Sequence, residues 1–152
     1  MRKIILLSAI VSCSFALFAQ RTRQTTPKKQ EQKIEIKYLT EAEFIKKVYD
    51  VNAGAQAVSK NKKPVIIDFY ADWCGPCKRL TPILEQALID YKGKIEIYKV
   101  NVDYEKALAQ KFNVRSIPLL LFFPVKGKPK QILGLRSKEE IYKLIDEMFP
   151  EN

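Results

Sequence analysis

The chain has 152 residues, 47% hydrophobic and 29% charged, which is enough for one domain with its own core plus short appendages. It contains no histidine, which excludes Cys–His and Ser–His catalysis and most zinc sites, and only three cysteines, too few for a disulfide framework. Of the net charge of +10, residues 1–33 hold +6 (Arg2, Lys3, Arg21, Arg23, Lys28, Lys29 and Lys33 against Glu31); the later bases are interleaved with acids, so no nucleic-acid surface is expected.

Met1-Arg2-Lys3 precedes an apolar run from Ile4 to Ala19, and polar sequence begins at Gln20. That plan predicts a secretory signal peptide over 1–19. The apolar run is shorter than the about 20 residues a membrane span needs. Cleavage before Gln20 competes with lipidation at Cys13, because Ile10-Val11-Ser12-Cys13 resembles a bacterial lipobox, and with a retained anchor. Each route places the domain outside the cytoplasm, in the periplasm, and a membrane is involved only if Cys13 is lipidated or the signal is retained. Residues 20–33 offer nothing apolar to bury and are expected to be a flexible basic linker to a domain over 34–152.

Ile34, Ile36 and Tyr38 alternate with charged residues, predicting a strand with those three on its inner face. Thr40 and Glu43 form a capping box for a helix with an apolar stripe at Phe44, Ile45 and Val48. Residues 52–63 read as loop. The run 64–70 is apolar except for Asp68, as expected of a central strand covered on both faces. A helix follows from about Cys74, with Leu80, Ile83, Leu84, Ala87, Leu88 and Tyr91 at helical spacing. Pro76 falls in its first turn, Pro82 is expected to kink it, and Gly93 to stop it. Ile95 to Val100 predicts a strand, and Asp103 is expected to cap a short helix ending at Phe112. Leu119–Phe123 and Lys130–Leu133 predict a hairpin across a turn with Gly127. Ser137 and Glu140 form a second capping box, before a helix burying Ile141, Leu144, Ile145 and Met148. The order β-α-β-α-β-α-β-β-α predicts an α/β fold, with a central mixed five-stranded sheet and helices on both faces.

Cys74-Gly75-Pro76-Cys77 lies where the central strand gives way to a helix. A helix N-terminus stabilises a thiolate through unpaired N–H groups and a partial positive charge, and Cys77 lies one turn away. The alternatives are two inert buried thiols or half of a metal site. No second pair completes a metal site, so none is expected.

The segment Asp68-Phe69-Tyr70-Ala71-Asp72-Trp73-Cys74-Gly75-Pro76-Cys77-Lys78 resembles the active-site segment of thioredoxins. The resemblance continues at Pro82, at Lys99-Val100-Asn101-Val102-Asp103, at Arg115-Ser116-Ile117-Pro118 and at Gly134. It spans 60–150 closely and 34–59 loosely. It implies the thioredoxin fold and a cofactor-free protein-disulfide reductase. Cys74 is then the attacking thiolate, and Cys77 resolves the mixed disulfide, leaving a redox disulfide Cys74–Cys77. Asp68 becomes the proton acceptor for Cys77, or a merely structural carboxylate; Lys99 lies beside it, or on the surface. Pro118 is implied to be cis, and Trp73, Gly75, Pro76, Ile117, Pro118 and Gly134 to line the substrate surface. Three features depart from the family pattern: Tyr70 where many members have Trp, Leu119 where Thr is common, and Gly127 one place later than usual.

Three roles remain open: a reductase of exported proteins, a periplasmic oxidase or isomerase, and a non-enzymatic thioredoxin-fold binding subunit. Gly75-Pro76 between the cysteines and Ile117 before Pro118 resemble reducing members. The expected partners are disulfide-containing exported proteins and, as electron donor, a membrane thiol relay; the chain is expected to be monomeric.

Overall fold

The computed structural model describes residues 35–52, 60 and 62–150. The expected signal over 1–19, the linker over 20–33, Cys13, Ile34 and most of the 52–63 loop lie outside the described residues.

Nine elements follow one another: β1 (Lys37–Tyr38), α1 (Glu41–Lys47), β2 (Val65–Tyr70), α2 (Gly75–Asp90), β3 (Glu96–Asn101), α3 (Lys106–Lys111), β4 (Leu119–Phe123), β5 (Lys130–Leu133) and α4 (Lys138–Met148). The strands form one sheet in the order β1-β3-β2-β4-β5. β3 runs parallel to β1 and β2, whereas β4 is antiparallel to β2 and β5. This is the mixed five-stranded sheet of the thioredoxin fold. β2 lies at its centre, all six residues buried, because its apolar run leaves neither face fit for water.

Side chains alternate across β2, so each face feeds a separate core. Ile66 joins Ile97, Leu120 and Phe122 under Leu80 and Leu84 of α2 and Ile141 and Ile145 of α4. Val65, Ile67 and Phe69 join Leu121 and Phe123 under Phe44 of α1 and Leu108 of α3. Helices therefore cover both faces. The second core holds a cluster of rings, with Phe44 edge-on to Phe112 at 5.4 Å and to Phe123 at 5.7 Å. Edge-to-face pairs of this kind add about 0.5–1.5 kcal/mol beyond the area they bury.

Both capping boxes form. Thr40 and Glu43 close α1, and Ser137 and Glu140 close α4, each pair satisfying two N–H groups that the first turn leaves open. α2 continues through Pro82 to Asp90, and Gly93 adopts φ +80 just beyond its Tyr91 C-cap. A positive φ costs glycine nothing, which is why the chain can turn there toward β3.

Two elements differ from expectation. The first strand is only two residues long, and Tyr38 is 58% exposed while Leu39 is buried. The Leu39 N–H donates to the Lys99 carbonyl and the chain turns at once into the Thr40 cap, so the alternation ends at Ile36. Tyr38 instead lays its ring against Tyr70, with centroids 5.8 Å apart. The second difference is at Asp103, which does not cap α3. Its N–H donates to Asn101 Oδ1, the turn runs on, and Glu105 stands at the N-cap with its carboxylate turned to the Glu41 N–H and not to α3.

Candidate active site

Cys74 is the N-cap of α2, in extended backbone conformation, and its sulfur accepts the Cys77 N–H at 3.2 Å. Pro76 sits in the first helical turn, where its missing N–H removes a donor that has no helical partner anyway. The two sulfurs are bonded to each other at 2.07 Å. Both cysteines are buried, in a small cluster with Tyr70 and Ala71, against which Ile117 and Val102 pack. Gly75 and Pro76 between them are exposed. The result is a disulfide held at the positive end of a sixteen-residue helix with its intervening residues open to solvent.

The peptide bond between Ile117 and Pro118 is cis. Pro118 is buried, and its carbonyl accepts the Gly134 N–H at 2.8 Å. Gly134 has φ +86, so the bond is made from a backbone conformation that glycine adopts readily. Ile117 thus stands beside the cysteines, and Gly134 is tied to the same loop. Trp73 projects from the rim, 71% exposed, with its indole N–H donating to Asp103 Oδ2 at 2.9 Å.

On β2, the strand that leads to the cysteines, Asp68 is fully buried and paired in register with Lys99 on β3. The Lys99 ammonium lies 3.6 Å from Asp68 Oδ2, close enough for an ion pair, and neither carboxylate oxygen has a hydrogen-bond partner among the described residues. Burial pushes the Asp68 carboxyl from its ordinary 3.8 to about 6, and the Lys99 charge only partly opposes that rise. Lys99 is itself buried, not a surface lysine; it donates to Thr81 Oγ1 at 2.6 Å and lies 4.3 Å over the Tyr70 ring. Thr81 in turn donates to the Cys77 carbonyl at 3.1 Å. Tyr70 is buried and its phenol is pushed up to about 12, so it stays neutral at physiological pH.

The structure therefore gathers Cys74, Cys77 and Ile117 into one cluster and links Asp68 and Lys99 to it through Thr81. Trp73, Gly75 and Pro76 form the exposed rim, and Pro118 with Gly134 forms the facing loop. Three residues of the site were given no part in it by the sequence. Thr81 carried a signal, since it lies four residues after Cys77 and so on the same helix face. Asn101 joins Asp72 and the Asp103 backbone, and Asp103 joins Trp73, across 29 and 30 residues of sequence, where no local pattern points. No cluster of metal-ligating side chains occurs among the described residues.

The thioredoxin family model matches residues 35–147. A thioredoxin of Borreliella burgdorferi is 40% identical over 111 residues, covering 73% of this chain and 95% of its own length. A thioredoxin of Staphylococcus aureus is 36% identical over 108 residues, covering 71% and 92%. The chloroplastic M-type thioredoxin of Spinacia oleracea is 38% identical over 102 residues, covering 66% of this chain and 56% of its own length.

Proposed function

The chain belongs to the thioredoxin family and is a protein thiol–disulfide oxidoreductase, and from that premise we propose that it reduces disulfides of exported proteins through its Cys-Gly-Pro-Cys dithiol. The observation that carries the proposal is the Cys74 sulfur at the N-cap of α2, receiving the Cys77 N–H. Once the disulfide is reduced, the same donor and the helix dipole favour Cys74 as the thiolate.

The reaction runs in two displacements. Cys74 attacks one sulfur of a substrate disulfide; a Cys74–substrate bond forms and the other substrate sulfur leaves as a thiolate. The Cys77 thiol then gives its proton to the Asp68 carboxylate and attacks Cys74. The Cys74–Cys77 bond forms, the second substrate thiolate leaves, and two electrons have passed from the dithiol to the substrate. A carboxyl poised near neutrality suits this transfer, and Asp68, raised to about 6, is so poised. The cis Ile117–Pro118 segment offers backbone beside the cysteines for an extended substrate chain, with Gly134 supporting it and Trp73, Gly75 and Pro76 forming the docking rim. Lys99 tempers Asp68.

The apolar run before Gln20 supports export to the periplasm, with a lipid anchor through Cys13 as the alternative. A membrane thiol relay then returns electrons to the dithiol. The test is insulin reduction by the purified chain with dithiothreitol as donor. Cys74→Ser is expected to abolish turnover, and Cys77→Ser to trap a mixed disulfide on Cys74. Turnover surviving in Cys74→Ser removes the assigned nucleophile.

A further inference from the structure

Thr81 is fixed at both ends of its hydroxyl. An ammonium has no lone pair, so in the 2.6 Å contact Lys99 must donate and Thr81 must accept. The hydroxyl proton is then free to go to the Cys77 carbonyl, 3.1 Å away, one helical turn back. Lys99 thus makes its short bond to a neutral hydroxyl, while the opposite charge on Asp68 stays at 3.6 Å, beyond a hydrogen bond. A buried ammonium left to itself would close on the carboxylate, since a charge-assisted bond at about 2.8 Å is the stronger contact.

We infer that Thr81 is a positioning residue for the resolving half-reaction: its hydroxyl holds the Lys99 ammonium off Asp68, so that the carboxylate feels a nearby positive charge yet keeps both oxygens free for the Cys77 proton. The inference rests on the reading of Asp68 as that proton's acceptor. It also couples the site in one direction along the chain of contacts Asp68, Lys99, Thr81, Cys77 carbonyl. The same hydroxyl that restrains Lys99 is anchored to the residue whose proton moves.

The surroundings leave few other groups to produce this effect. β3 presents Lys99 to Asp68, and β4 sets Leu120 opposite it. The cysteines at the start of α2 are bonded to each other and do not titrate, while Lys78 and Arg79 are exposed. Tyr70 on β2 stays a neutral phenol, and α4 contributes Ile141 and Ile145 to this side of the sheet. Burial raises the proton affinity of Asp68, and Lys99 is thus the charge whose position decides how far that rise is opposed.

The experiment follows the Asp68 carboxyl directly, by 13C NMR titration of the oxidised full chain labelled at its aspartate carboxyls. It compares Thr81→Val, which keeps the shape and removes the hydroxyl, with Thr81→Ser, which keeps the hydroxyl. The Val variant is expected to titrate about one pH unit lower, a tenfold loss of proton affinity, because Lys99 closes on the carboxylate. The Ser variant is expected to titrate with the unsubstituted protein. Thr81→Ala, which removes the hydroxyl without a replacement methyl, must reproduce the Val shift. An unmoved midpoint in Val and Ala, or an equal shift in Ser, overturns the inference. Single-turnover release of substrate from Cys74, measured against pH on the same variants, separates the two claims. If the midpoint shifts while the pH dependence of release does not, Thr81 positions Lys99 but Asp68 is not the acceptor.

Discussion

On one face of β2, Val65, Ile67 and Phe69 pack with Phe44, Val48, Leu108 and Phe123; on the other, Ile66 is followed by Asp68 and Tyr70 close to the buried ammonium of Lys99. The strand is one buried run, apolar but for Asp68, yet the two faces meet opposed demands. The first face buries aromatic and aliphatic surface at about 25 cal/mol per Å² and holds no buried charge. The second takes a carboxylate out of water with no hydrogen bond in return. The upward movement of Asp68 to about 6 decides which effect wins there: desolvation exceeds the attraction of Lys99. Both faces carry a hydrophobic core, but only the α2/α4 face also holds a buried carboxylate, so reactivity is stored there at a cost in stability.

Adjacent residues allow that contrast to be broken. Phe69→Ala removes a fully buried ring from the apolar face and is expected to destabilise the protein by about 3–5 kcal/mol in denaturant titration. Activity per folded molecule should survive, since the ring points away from the disulfide. A loss below about 1 kcal/mol, or a specific loss of turnover, would erase the difference between the faces.

Asp68→Asn should act in the opposite sense and by less. The folded-state pKa of Asp68 is raised above its ordinary 3.8, so its protonated form favours folding below that value and the benefit is lost as pH rises through about 6. Above pH 7 the charged, buried carboxylate costs about 2–3 kcal/mol. The amide resembles the protonated acid, and Lys99 keeps Thr81 and the Tyr70 ring as partners. The variant is therefore expected to gain about 2–3 kcal/mol at pH 7.5 and nothing at pH 3.5, while its resolving step slows at neutral pH. Equal stability of both proteins across that range would mean that Asp68 carries no buried charge.

The same division explains what could be read from the sequence. Local chemistry was legible: both capping boxes, the β4–β5 hairpin to the residue, and the placement of the cysteine pair at a strand–helix junction. The resemblance to thioredoxins implied a cis bond before Pro118, which the structure has, and left Lys99 either beside Asp68 or on the surface; the structure places it beside Asp68. What escaped depends on pairs far apart in sequence. Asp103 has the side chain of a helix cap, but the indole of Trp73 claims it. Tyr38 fits the inward alternation, but it ends a two-residue strand on its exposed side, against Tyr70. Thr81 reaches the Cys77 carbonyl within its own helix, but it meets Lys99 only once the sheet brings that residue under α2.

Redox titration of the Cys74–Cys77 couple against glutathione, followed by the fluorescence of Trp73, the chain's single tryptophan, tests the central claim most directly. A reductase must hold its disulfide stable relative to its dithiol. Here Pro76 stiffens the turn, and no cation stands between the cysteines to stabilise the thiolate further. The couple is expected well on the reducing side of the roughly −180 mV of protein disulfide isomerase, where each 30 mV is about 1.4 kcal/mol. A potential at or above that value contradicts the reductase and makes the protein an oxidase or isomerase working through the same two cysteines.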